Sequence, residues 1–290
     1  MVLIKMKQST MCPSLGLLNK GQRIDVPLDH AVYLIHRDKA LVADGSNIVD
    51  ITLSCATLST IANHYAQSSA VEDALSGVCK GHDVHVIGTG PSASKFLDAD
   101  IPEGDMVIAC NAAIRLVKPD VALVVEGVSV HFDWFDDVLA FDGMKVLDVS
   151  VSCMMTSRRE KKYTNRYWQD ILWFRRRAYD EGEDLSKMGA GLVYIQENGV
   201  IRGTVVAQGA HLAQIMDADA VHMWGVELYF PDGKQNFCGT EVYLPGTSST
   251  SVQQFGDKMS TQYFTESAYA IKKIARGIPL IDHSDGLLSL

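Results

Sequence analysis

A glycine-rich turn and two glutamates are the residues of this chain whose types and spacing could do chemistry. Residues 86–92 read VIGTGPS, a short apolar run that stops at Gly88, Gly90, Pro91 and Ser92. Glycines lack a Cβ and let backbone N–H groups come close to a ligand. Pro91 suits the first turn of a helix, where a missing N–H costs nothing. Ser92 can cap that helix or bind a phosphate oxygen, and a helix N-terminus adds partial positive charge. The turn therefore reads as a seat for an anion. Glu126 closes the apolar run VALVVEG, and Glu227 closes WGVEL. Two carboxylates on one rim with a phosphate turn could hold Mg²⁺ or Mn²⁺ against a di- or triphosphate. Alternatively, one could serve as general base on an acceptor hydroxyl. Two structural readings stand beside these: Glu126 as a cap near Ser129, and Glu227 as the partner of an arginine.

The same turn, GTGPSA, fits G-x-G-x-x-G/A with Ala93 in the last place. A dinucleotide site would also need an acid at the end of the next strand to hold a ribose. That strand, MVIACN, ends in Asn111, so NAD is not expected. No G-K-[ST] follows the turn, which excludes a P-loop. The cysteines and histidines form no paired or clustered pattern, so no zinc site is expected. His85, His211 and His222 lie in apolar surroundings and read as structural. His131 and His283 follow strands and are candidates to face a cleft.

Residues 157–177, SRREKKYTNRYWQDILWFRRR, form a basic run in a chain of net charge −9. Its periodicity reads as an amphipathic helix. Its functional reading is an arm over the cleft, with Arg158 and Arg159 on donor phosphates. One such patch is thin support for nucleic acid, which is not an expected partner.

The elements that must position these residues follow from hydrophobic pattern. Short β-branched runs predict strands at Val84–Ile87, Met106–Cys110, Val121–Val125, Lys145–Val149, Leu192–Ile195, Ala220–Trp224 and Ile278–Ile281. Helices are predicted over Val205–Met216 and Thr261–Arg276. Strands apolar on both sides that alternate with helices mean a mostly parallel, Rossmann-like α/β sheet covered on both faces. Before it, residues 1–80 read as a small α+β N-terminal module and helical linker. Within it, a strand around Arg23–Val26, a short helix starting near Asp29 and a return strand at Ala40–Ala43 are predicted. The Gly/Ser/Thr-rich stretch 245–257 reads as a loop or lid.

The totals set the class. A chain of 290 residues that is 47% hydrophobic can bury a sizeable core. Its negative charge does not attract anionic partners overall. The six widely spaced cysteines read as reduced thiols. No signal peptide or membrane span is expected, which places the chain in the cytoplasm. A homo-oligomer stays open.

Three blocks carry a resemblance to a known group. They are VIGTGPSASKFLDADIPEGDMVIACN, RGTVVAQGAHLAQIMDADAVHMWGVELY and GIPLIDHSDGLL. In order and spacing, residues 82–290 resemble a nucleotide-binding fold shared by two families. One is the bacterial sialyltransferases that use CMP-sialic acid. The other is the MptE-like 6-hydroxymethylpterin diphosphokinases. The resemblance implies that Gly88, Gly90, Pro91, Ser92 and Asn111 meet the phosphates and ribose of a nucleotide. It also implies that Gly203 and Thr204 line the same cleft, and that His283 and Ser284 close it. Two departures stand out. Residues 230–282 hold no histidine to match the sialyltransferase base, and Glu126 and Glu227 stand where diphosphokinase relatives carry Asp. Residues 13–45 resemble small modules of bacteriophage proteins, which would place the chain in a host cytoplasm. The expected activity is a glycosyltransferase-like transfer from a nucleotide or nucleotide-sugar to a hydroxyl acceptor. Glu126, Glu227 and His283 are the expected catalytic groups. The alternatives are an ATP- and Mg²⁺-dependent diphosphokinase and a non-catalytic phage protein that retains the fold.

Overall fold

The computed structural model describes residues 2–12, 16–26, 40–42, 70–155, 171–187, 191–197, 200–202, 204–228, 252–255, 258–284 and 286–289. Seven strands build the central sheet. They are β1 (Val84–Ile87), β2 (Met106–Cys110), β3 (Val121–Val124), β4 (Met144–Asp148), β5 (Ile171–Phe174), β6 (Val221–Trp224) and β7 (Leu280–Asp282). All neighbours pair in parallel. Their order across the sheet is β5-β4-β3-β2-β1-β6-β7. The chain steps outward from β1 to β5 and then returns to the other side of β1 with β6. At that reversal the connections leaving β1 and β6 go to opposite faces and open a crevice.

The strands hold because both of their faces are buried. In β3, Val121 and Leu123, with Val125 just beyond, pack on one face, while Ala122 and Val124 pack on the other. This is the two-residue period of a strand written entirely in apolar side chains. Five helices are described: α1 (Ala70–Leu75), α2 (Phe135–Ala140), α3 (Val149–Met155), α4 (Val205–Ile215) and α5 (Gln262–Ile274). Helices α4 and α5 cover the first face, and α4 is buried along most of its length. Helices α2 and α3 cover the second face beside Trp134 and Trp173. Among the described residues no helix is long and apolar enough to cross a membrane.

The N-terminal module is a three-stranded antiparallel sheet. Val2–Met6 lies at its centre, between Arg23–Val26 and Ala40–Val42. Ile4, Met6, Leu18, Val26 and Ala40 join the core of the second face, so the module is docked rather than tethered. The helix expected near Asp29 lies outside the described residues, as does most of the linker. The part of that linker which is described, α1, places Val71 and Leu75 in the core of the first face, joined by Cys79. The larger unit therefore begins before residue 81.

Three further expectations change. Leu192–Glu197 is a strand but not in the central sheet; it pairs with Arg176–Ala178 and Val200–Arg202 in a small sheet of its own. The end of the basic aromatic run is not helical. Ile171–Phe174 is an edge strand of the central sheet because Ile171, Trp173 and Phe174 are all needed in the core. Val252–Phe255, expected as loop, forms a hairpin with Lys258–Thr261.

One buried histidine ties α4 to the small sheet. The Val193 amide donates to His211 Nδ1 at 3.1 Å, and His211 is fully buried. Burial, aided by the nearby Arg177 charge, pushes its pKa down to about 4. The unfolded chain then binds more protons than the folded one between pH 6.5 and about 4. Stability should fall as pH drops through that window, with His211 contributing about 3 kcal/mol of the loss by pH 4. In H211N the carboxamide oxygen can replace the imidazole nitrogen. Denaturant melts from pH 7 to pH 4 should show a shallower acid loss for that variant.

Candidate functional site

The glycine turn VIGTGPS sits at the switch point, between β1 and a short 3₁₀ helix at Pro91–Asp98. Its anion place is already filled. The Ser92 amide donates to Glu227 Oε1 at 2.5 Å, across 135 residues of sequence. The glycines are explained by the same contact. A Cβ on Gly90 would collide with the Glu227 carboxylate, and a Cβ on Gly88 would collide with the Gly225 carbonyl. The turn therefore approaches another part of its own chain, and the glycines by themselves no longer call for a ligand. Glu227 is 4% exposed and has no ion pair among the described residues, so the expected arginine partner is replaced by an amide. A hydrogen bond to a charged acceptor of this kind is worth about 1.5–3 kcal/mol.

Three polar oxygens on the same rim are buried with no hydrogen-bond partner among the described residues: Ser92 Oγ, Asn111 Oδ1 and Thr204 Oγ1. Each was expected at a nucleotide site from the sequence. Thr204 stands at the N-terminus of α4 without capping it through its side chain. Asn111 leaves β2 in the left-handed region, at φ 54°, a conformation Asn tolerates better than most residues. Its side chain hydrogen-bonds Glu126. Since Oδ1 is unpartnered, Nδ2 is the donor.

Glu126 does not cap the 3₁₀ turn at Gly127–His131 through its side chain; Ser129 bonds its backbone carbonyl instead. Its carboxyl faces Asn111, Asp148 and Arg176. Desolvation raises its pKa above the usual carboxylate range; Asp148 adds to that, and Arg176 and Asn111 oppose it. Asp148 ends β4, is buried, and lies 3.4 Å from Arg176 Nε. Asp148 and Arg176 were missed in the sequence. The signal was available, because Asp148 ends a strand in the apolar run KVLD, as Glu126 follows one. Arg177 is turned away into a two-pronged pair with Glu183, at 2.6 and 2.8 Å. Arg158, Arg159 and Gly203 lie outside the described residues.

The closing turn is committed elsewhere. Ser284 Oγ donates to Asp282 and accepts from the Gly286 amide, so it is not free for a nucleotide. His283 stacks on Trp224 at 3.7 Å and meets His222 Nδ1 through Nε2 at 2.9 Å. His222 Nε2 faces Asp83 at 3.0 Å, and His85 Nε2 faces Asp105 at 3.1 Å. The Trp224 indole can only donate, and it donates to His85 Nδ1 at 3.1 Å. His85 is thus neutral with its proton on Nε2. Asp83 can only accept, which puts a proton on His222 Nε2; in that tautomer of the neutral ring, His222 Nδ1 accepts from His283 Nε2. These rings anchor the Pro91–Asp98 segment, since Phe96 packs edge-on against Trp224 and Lys95 donates to the His283 carbonyl. His85 and His222 are structural as expected. His283 belongs to the same ladder, and His131 is exposed.

Among the described residues no group of three His, Cys, Asp or Glu is placed to hold a metal ion. A cavity of about 570 Å³ lies at the opposite, amino-terminal end of the sheet, lined in part by Tyr179, Asp217 and Arg276. The sequence matches no protein-family model and no curated protein.

Two outcomes follow. G90A should destabilise the chain by about 1–3 kcal/mol through overpacking. E227A should relieve part of that cost, so a double-mutant cycle read by urea melts should show coupling. For Glu126 the sign is the reverse of His211. A carboxyl whose folded pKa is raised loses stability as pH rises through the window above its unfolded value. E126Q should therefore match the parent near pH 4 and gain in melting temperature over it towards pH 8.

Proposed function

We propose that this chain is a nucleotide-dependent transferase. It seats its donor at the carboxyl ends of β1 and β2 and the N-terminus of α4, and moves a glycosyl group to a hydroxyl acceptor. The observation that carries this reading is the trio of buried, unpartnered oxygens at the switch point, Ser92 Oγ, Asn111 Oδ1 and Thr204 Oγ1. Two are hydroxyls that can donate to phosphate oxygens, and one of these stands where an 11-residue helix presents its positive end. The third, an amide oxygen, can only accept, and so calls for a ligand hydroxyl. A nucleotide supplies both kinds of group. Leaving such oxygens buried and unpaired costs about 1–3 kcal/mol each, which a ligand would recover.

Glu126 and Asp148 supply the chemistry. A carboxyl whose pKa is raised by burial, beside a second carboxylate, is suited to take and return a proton. Arg176 is placed to offset charge on a departing phosphate. Glu126 is an oxygen donor of the kind Mg²⁺ or Mn²⁺ prefers, and such an ion would add charge neutralisation on the donor phosphates. The same acid pair beside an arginine also supports the second reading, diphosphoryl transfer from ATP with Mg²⁺.

A thermal-shift panel of CMP, UDP, GDP, ADP and ATP, each with and without Mg²⁺ or Mn²⁺, tests both. A ligand at 100 times its Kd should add about 2.7 kcal/mol of stability. Shifts with CMP or UDP favour glycosyl transfer, and a strictly metal-dependent ATP shift favours diphosphoryl transfer. S92A and T204V should each weaken the bound nucleotide about tenfold or more while the free proteins melt normally; N111A should weaken it too, with a lower melting temperature because Asn111 also bonds Glu126 and sits at φ 54°. No shift with any nucleotide would leave the non-catalytic reading.

A further inference from the structure

We infer that Glu227 is the grip for the vicinal diol of the donor's ribose, rather than a metal ligand or a catalytic base. This rests on the nucleotide reading above and names which part of the nucleotide lies at the β1–β6 crevice. The turn amide that would have bound a phosphate oxygen is already donating to Glu227 Oε1. A phosphate brought to the same amide would sit against a carboxylate with no cationic partner among the described residues, and like charges at that range repel. The backbone amide of the turn is therefore closed to phosphate while Glu227 is in place.

What Glu227 offers instead is acceptor capacity. An ionised carboxylate can accept about four hydrogen bonds. Oε1 takes one from Ser92, and Oε2 has no hydrogen-bond partner among the described residues, although the residue is 4% exposed. Asn111 Oδ1, at the end of β2, is a further acceptor without a partner among the described residues. Glu227 reaches over the end of β1 to the Ser92 amide, and β1 pairs with β2 at the usual strand spacing of about 4.8 Å, which one sugar ring can span. An edge rich in acceptors selects a ligand edge rich in donors. Phosphate has only acceptors to give, whereas a ribose presents two adjacent O–H groups. Two adjacent hydroxyls also match the two oxygens of a carboxylate.

The grip is built before any ligand arrives. The Leu287 amide donates to the Glu227 carbonyl at 2.9 Å. Gly286 packs so closely on the Glu227 backbone that a Cβ there would collide with it. Leu228, the next residue, is held at φ 55°. A carboxylate fixed this firmly loses little freedom on binding. With the ribose at Glu227, the phosphates run from Ser92 Oγ towards Thr204, and the transferred group is left on the side of Glu126, Asp148 and Arg176.

The test compares CMP, UMP, GMP and AMP with their 2′-deoxy and 3′-deoxy forms by calorimetric titration of the full chain, in parent and E227Q forms. For whichever base binds, loss of either hydroxyl should weaken the parent at least tenfold. In E227Q the gap between ribo and deoxy forms should shrink to about threefold. Equal binding of ribo and deoxy forms by the parent would overturn the inference and leave the nucleotide reading standing. Tighter binding of the ribo forms by E227Q than by the parent would also overturn it, because Glu227 would then be competing with phosphate. Failure of all four ribonucleotides to bind the parent would remove the nucleotide reading itself. The parent comparison keeps the test decisive if E227Q folds poorly.

Discussion

The hydrogen bond from the Ser92 amide to the Glu227 carboxylate is the contact on which the rest of this molecule turns. It joins the first strand of the central sheet to the sixth, across the point where strand order reverses. Such a crevice would open to solvent if the loops leaving β1 and β6 merely diverged. Here a buried carboxylate reaches across it, and Gly88, Gly90 and Gly225 bring the two backbones close enough for it to do so. Both the shape of the candidate site and its electrostatics follow from that one bridge. The turn amide at the crevice is occupied by a carboxylate, and the N-terminus of α4 stands on the same rim.

A second fastening holds the same segment from its other end. The ladder of Asp83, His222 and His283, stacked against Asp105, His85 and Trp224, pins Pro91–Asp98 to β6 and β7 through Phe96 and Lys95. One set of tautomers satisfies these hydrogen bonds of the ladder. Burial lowers the pKa of His85 and of His283, with the neighbouring imidazoles adding to it for both. The turn at Ser92 thus inherits its rigidity from the rings packed beneath Pro91–Asp98 on the same face of the sheet.

Along the rim the polar groups divide by strand. Glu227 and Ser92 stand at β6 and β1, Asn111 at β2, Glu126 at β3, Asp148 at β4 and Arg176 beyond β5. Arg176 stands near buried Asp148 and half-buried Glu126 at one end, and Glu227, with no ion pair among the described residues, stands at the other. Under the proposed reading, that gradient would orient a nucleotide with its sugar at the acceptor-rich crevice and its phosphates on the side of α4 and Arg176.

Much of this was legible in the chain itself. Four-to-five-residue apolar runs dictated where the parallel strands fall, because a strand buried on both faces needs apolar residues at every position. Strand ends then placed Ser92, Asn111, Glu126 and Glu227 on one rim. Ile171–Phe174 was misread because its aromatic spacing also suits a helical face, and only the vacancy at the sheet edge beside β4 decides for a strand. Asp148 and Arg176 were hidden for a related reason, since their pairing depends on which strands are neighbours. What fills the space beside Gly90 was beyond the sequence altogether. A glycine declares that a Cβ is not tolerated, but not what occupies its place. Here a nucleotide phosphate and a glutamate 137 residues away satisfy the same local pattern, and only the tertiary pairing of β1 with β6 chooses between them.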